Sequence, residues 1–223
     1  MTLISTVFRG TIPPLIEFDE LESAIANMEC NSDVAGQFIQ LKKWLKDRLC
    51  NGDPALGRKG AVCPFSKRSM RQRLFWISPY LKRSTNAAEV FSYMMKMRGL
   101  FIENRGDNSH EVFRTYVVAF PFITLTDTAE LIDQTHAQLK PFFMNSGLMI
   151  GQFHDNCNIG GVHNPNFMAL HSPIPLFVIR NIVLNDYLLL KDDPKYLKVY
   201  DDFIAKNYPG DYEEYHNKII EYL

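Results

Sequence analysis

The chain has 223 residues, 46% of them hydrophobic and 22% charged, and a formal net charge of −1. This is the composition of a soluble globular protein with enough chain for one large core. It gives no electrostatic basis for non-specific nucleic-acid binding, and no apolar run approaches the roughly 20 residues that span a bilayer.

The first ten residues lack the basic start and apolar centre of a secretory signal, so a cytoplasmic location is expected. Residues 1–60 read as N-terminal helices. Asp19–Met28 is a short one, and Ser32 is placed to cap a second that runs to about Leu49. Val34, Phe38, Leu41, Trp44, Leu45 and Leu49 recur along it at helical spacing. Asn51–Gly60 holds three glycines and a proline and reads as a loop.

Residues 61–183 read as the core. Leu74–Leu81 and Phe113–Phe120 are apolar, aromatic and β-branched, as strands are. Between them, Asn86 and Glu89 make a capping-box-like start for a helix to about Ile102. Asp127 with Glu130 opens another, ending near Phe143. Leu148–Phe153 and Leu176–Val183 are further strands. The order predicts an α+β (mixed α/β) fold, a central sheet of about four strands with packed helices. Residues 184–223 then read as a helical cap: Asn185–Leu190, Pro194–Lys206 and Tyr212–Tyr222. The whole is expected to be one domain.

The segment 151–175 is the most unusual part of the core. A long connection here separates two strands and holds three of the six histidines, His154, His163 and His171. Connections of that length are usually functional or disordered, and the Phe, Met and Ile content argues for order. Gly160-Gly161, Asn164-Pro165 and Ser172-Pro173 fit a rigid wrapped loop lining a pocket. The histidine spacing is not the His-Glu-x-x-His pattern. A non-haem iron site that adds Asp155 is conceivable, and a single haem ligand needs no spacing rule.

Upstream, Cys63-Pro64-Phe65 follows the glycine-rich loop. A cysteine thiolate is one of the few protein ligands of haem iron, and cations nearby also favour a reactive thiolate. A small buried hydrophobe beside a turn proline is the plain alternative. Lys67, Arg68, Arg71 and Arg73 put four cations in seven residues, suited to carboxylates such as haem propionates or equally to a solvated turn. The four cysteines Cys30, Cys50, Cys63 and Cys157 contain no Cys-x-x-Cys pair, so free thiols are expected. No phosphate-binding or dinucleotide glycine motif and no Gly-x-Ser-x-Gly elbow occurs.

Cys63-Pro64, the strand Tyr116–Phe120, Gly151, His163 and the run Asn166–Arg180 together resemble the YqcI/YcgG-type family, which includes haem-dependent N-hydroxylases of guanidino substrates. The resemblance spans Ala61–Val183. The family's Arg/Ser-rich stretch after its histidine is replaced here by Asn164–Met168.

The resemblance implies a haem-dependent oxidoreductase, an N-hydroxylase or N-oxygenase of an amino-acid or guanidino small molecule. His163 is then the first choice of iron ligand, with Cys63 and His154 next. Arg68, Arg71 and Arg73 would hold propionates, Phe153 and Phe167 with Met149 and Met168 would wall the pocket, and Asp155 with His154 would serve the chemistry. A redox partner and a homodimer are compatible with it. Two other readings stand beside it. One is a cofactor-free binding or interaction protein with a rich aromatic core; the other is a non-haem metal enzyme using loop 154–171.

Overall fold

A computed structural model describes residues 13–27, 31–106, 109–208 and 210. Cys30, the end of the helix predicted over Asp19–Met28 and the helix predicted over Tyr212–Tyr222 lie outside the described residues.

Among the described residues five strands form one mixed sheet: β1 (Ile16–Glu17), β2 (Phe75–Pro79), β3 (Thr115–Ala119), β4 (Leu148–Phe153) and β5 (Leu176–Asn181), in the order β1-β2-β3-β5-β4. Of these pairings β2–β3 is parallel and the other three are antiparallel. A parallel pair needs a long crossover, supplied here by helix α4. β5 inserts between β3 and β4 and runs antiparallel to both. The helices are α1 (Leu21–Ala26), α2 (Ser32–Trp44), α3 (Ser66–Arg71), α4 (Ala87–Glu103), α5 (Thr135–Met144), α6 (Tyr187–Leu190) and α7 (Pro194–Asn207).

The α+β expectation holds, and four strands and most helices lie close to where the sequence puts them. The sheet gains a fifth strand, β1, whose two residues are too few for an alternation to be read. The cap of α2 is Asn31 rather than Ser32, its side chain accepting from the Val34 N–H at 3.0 Å. Asp127 does not cap the helix it precedes; its carboxylate accepts from the Thr124 hydroxyl at 2.7 Å. Asn86 caps α4 as expected, accepting from the Glu89 N–H at 3.0 Å.

Side-chain alternation divides the sheet between two cores. Tyr116, Val118, Phe177, Ile179, Leu148 and Ile150 pack with α4 and α5, against Met94, Met97, Phe101, Leu139 and Phe143. Phe75, Ile77, Val117, Ala119 and Leu176 pack with α1 and α2, against Ile25, Val34, Phe38 and Leu41. A third cluster, with Met144, Met149, Ile182, Tyr200 and Ile204, seats α6 and α7. Among the described residues no helix is long and apolar enough to cross a membrane.

Candidate functional site

The register decides where the loop 154–175 emerges. Phe153 pairs with Leu176, Leu176 with Ala119, and Ala119 with Pro79, so the loop leaves and returns beside the carboxyl ends of the parallel strands. That edge is the usual location of ligand sites in sheets with parallel strands.

His154 is the first residue beyond β4 and is buried, 1% exposed. It continues the alternation of Leu148, Ile150 and Gln152 and so faces the α5 side. Its ring Nε2 lies 2.9 Å from Asp133 Oδ1. Asp133 sits in the wide-turned segment Ala129–Gln134 that leads into α5; such π-type turns often occur at functional positions. With Nε2–H donating to the carboxylate, the ring lone pair rests on Nδ1. That Nδ1 is buried and has no hydrogen-bond partner. His171 Nε2, from the return arm of the same loop, is likewise buried without a partner. The two arms are tied together where His154 N–H donates to Leu170 O at 3.2 Å.

Two other groups complete this end. Cys157 is buried, and burial pushes its thiol up, with Asp133 adding to the effect. His136, one turn beyond Asp133, bonds Ile150 O through Nε2 at 2.9 Å, and burial lowers its basicity.

The tip of the loop rests on a different part of the molecule. His163 is exposed, and its backbone makes the tight contact: a Cβ at Gly57 would meet His163 O at 2.7 Å. Asn164 donates to Ala55 O at 2.7 Å. Phe167 is buried beneath Arg48, whose guanidinium carbon lies 4.7 Å from the ring centroid. Gly160 is required here, because a Cβ would lie 2.2 Å from Pro165 O. Asp155 is exposed.

Cys63 and its basic neighbours lie at the opposite end of the sheet, where α3 leads into Phe75. Cys63 is half-buried, and its N–H donates to Leu49 O at 2.9 Å. Its thiol is within electrostatic reach of Arg180, which pairs across the sheet with Thr115 and Met149. Burial opposes the Arg180 charge, yet Asp186 holds its pKa above the ordinary value, through two contacts of 2.7 and 2.5 Å. Pro64, Lys67, Arg68, Arg71 and Gln72 line a groove of about 540 Å³.

The predicted site residues are thus not brought into one pocket. His154 stands at one end of the sheet, Cys63, Arg68 and Arg71 at the other. Arg73 joins neither group: its backbone takes φ 58° and its guanidinium turns to Glu17 at 2.5 Å and Glu20 at 3.6 Å. Phe153 faces the α2 side, edge-on to Trp44 at 6.1 Å between centroids, and Met149 belongs to the α6–α7 cluster. Of the expected wall of Phe153, Phe167, Met149 and Met168, the first three therefore do not line one pocket. Asp133 was missed because it sits inside a helix, with no local signal that it meets a histidine. Among the described residues no three His, Cys, Asp or Glu side chains are grouped as ligands of a metal ion.

A family model described as a domain of unknown function, DUF6875, matches residues 38–215, which hold every candidate residue above. No curated protein matches the chain, and neither does any solved structure.

Proposed function

As the chain belongs to the DUF6875 family, we propose that it is a haem-dependent oxidoreductase in which His154 would hold the iron. The observation that carries this reading is the state of the His154 ring: buried, one nitrogen on Asp133, the other without a partner. A histidine that ligates a metal almost always gives its second ring nitrogen to a carboxylate or carbonyl, which fixes the tautomer and raises ligand basicity. A buried nitrogen with a free lone pair is costly unless something occupies it.

The donor set favours haem over an isolated metal ion. Haem iron asks the protein for one or two ligands, whereas a lone ion needs three or more, and no such group is present among the described residues. His154 fits this role better than His163, whose ring is on an exposed residue, or Cys63, which is half-buried near Arg180. Haem would supply oxygen activation, for which no side chain substitutes. The chain's own residues would orient the ring through Asp133, exclude water beneath the loop, and offer the exposed Asp155 to a cationic amine or guanidinium substrate. The electron donor is then a redox partner.

The test is an absorption spectrum of the full chain after reconstitution with haem. A stoichiometric Soret band at about 400–420 nm is expected, abolished or shifted by His154→Ala and unchanged by His163→Ala. Failure to retain haem overturns the reading; an unchanged band in His154→Ala removes His154 as ligand.

A further inference from the structure

The groove beside α3 carries charge that a ligand on His154 leaves unused. Lys67, Arg68 and Arg71 belong to the six-residue helix α3, with Pro64 and Gln72 completing the lining. Residues spaced three and four apart share one face of a helix. Arg71 is thus placed beside both Lys67 and Arg68, and the three line one groove in which no carboxylate takes part. Among the described residues none of the three has an ion-pair partner.

The carboxylates nearby are already engaged. Glu111 receives Arg114 at 2.6 and 2.9 Å, Asp186 receives Arg180, and Glu17 receives Arg73. In a chain of net charge −1, a cluster of three unneutralised cations is a local feature rather than a general basicity.

Arg68 is also held in place. Its guanidinium carbon lies 4.2 Å from the Phe113 ring centroid; Phe113 packs on Phe65 at 6.1 Å, and Phe65 lies 5.5 Å from the Arg180 guanidinium. Arg180 is anchored in turn by Asp186. This cation–ring–ring–cation stack restricts one fork of N–H donors before any ligand arrives, which lowers the ordering cost of binding. Gln72 is fixed by a 3.2 Å contact between its Nε2 and His110 Nδ1.

We propose that the groove of Pro64, Lys67, Arg68, Arg71 and Gln72 binds a small multivalent oxyanion. Arg68 and Arg71, three residues apart, present two guanidinium forks to separate anionic groups, and Lys67 adds a point charge. The shared ligand chemistry is two or more negatively charged oxygen groups on a compact frame, as in a diphosphate or a polycarboxylate. The donors are side chains rather than the end of this short helix. The inference does not rest on haem, because it concerns the opposite end of the sheet.

Isothermal titration of the haem-free full chain with pyrophosphate, and separately with citrate, tests it. At least one anion is expected to bind with a Kd of about 1 mM or tighter. The double variant Arg68→Ala/Arg71→Ala is expected to weaken that binding by about tenfold or more, and Arg68→Lys by less. Lys198→Ala/Lys206→Ala, the same charge loss on α7, leaves it unchanged. Tighter binding of pyrophosphate identifies a phosphate ligand; tighter binding of citrate identifies a carboxylate. Weaker binding of both anions than this, or equal loss in the α7 variant, overturns the proposal. Circular dichroism of each variant confirms the fold, since all four substituted side chains are exposed.

Discussion

Asp133 and His154 are 21 residues apart in the chain and meet at 2.9 Å, carboxylate Oδ1 to ring Nε2. The contact joins the segment that opens α5 to the first residue beyond β4. Its asymmetry matters most: the ring is almost completely buried while the Asp133 side chain remains 41% exposed. The carboxylate can stay hydrated and still orient a histidine that water does not reach.

This pair yields the first prediction. Asp133→Asn keeps a hydrogen-bonding side chain and removes the charge. If His154 is a ligand, the variant still takes up haem but holds it about 10–100-fold more weakly, the usual effect of losing such an outer partner. Haem transfer to an excess of apomyoglobin measures the retention. Equal transfer rates for the two proteins would show that Asp133 has no role in ligation.

The Arg180–Asp186 pair makes a stability prediction. Asp186 is buried, takes both guanidinium contacts and also accepts from the Val183 N–H at 2.9 Å. Asp186→Ala removes both carboxylate contacts of the Arg180 guanidinium, which keeps only its 3.0 Å bond to Asn181 O and the Phe65 ring, and leaves the Val183 N–H without its acceptor. Removal of one member of a buried pair costs about 3–5 kcal/mol, read as a lower urea midpoint. Phe65 and Arg68 rest on the same stack, so anion binding in the groove weakens with it.

Glu111 predicts a pH dependence. Its bonds from Arg114 hold the carboxyl below its ordinary value of 4.5, against the opposing effect of burial. A carboxyl depressed in the folded state stabilises fully above the unfolded value and loses that contribution as pH falls through the folded one. Glu111→Gln is therefore expected to lower stability at neutral pH and to flatten its loss below about pH 4.5. Urea midpoints across pH 3–7 for both proteins make the comparison, and parallel curves would contradict it.

Gly147 tests how the turn into β4 is built. Its φ is +72°, and a Cβ there would lie 2.1 Å from Phe203 Cε2 on α7. The left-handed backbone alone costs a substituted residue about 1–2 kcal/mol. Gly147→Ala should exceed that because of the clash, and Phe203→Ala in the same chain should recover the difference. A double-mutant cycle in urea gives the coupling between them.

Some of these features were legible from residues alone. Leu148–Phe153 is found as read, because an apolar run between a glycine turn and a histidine-rich loop has one good conformation. Asn86 and Glu89 mark the start of α4 through a contact between residues three apart. By contrast, β1 has two residues and no period to detect. Arg73 looks like a fourth member of the basic cluster until its backbone turns left-handed and sends the side chain to Glu17.

By itself the sequence determined what depends on near neighbours: the class of fold, the extent of most elements, the ordered loop 154–175 and the residue types able to do chemistry there. Periodicity, caps and glycine or proline punctuation act over a few residues and can be read along the chain. Only the tertiary structure decided that β5 inserts beside β3, that the loop therefore emerges at the end of the sheet opposite Cys63, and that Asp133 rather than Asp155 meets His154. Strand order and register are set by which faces can be buried together, so residues adjacent in a motif can part and residues 21 positions apart can meet.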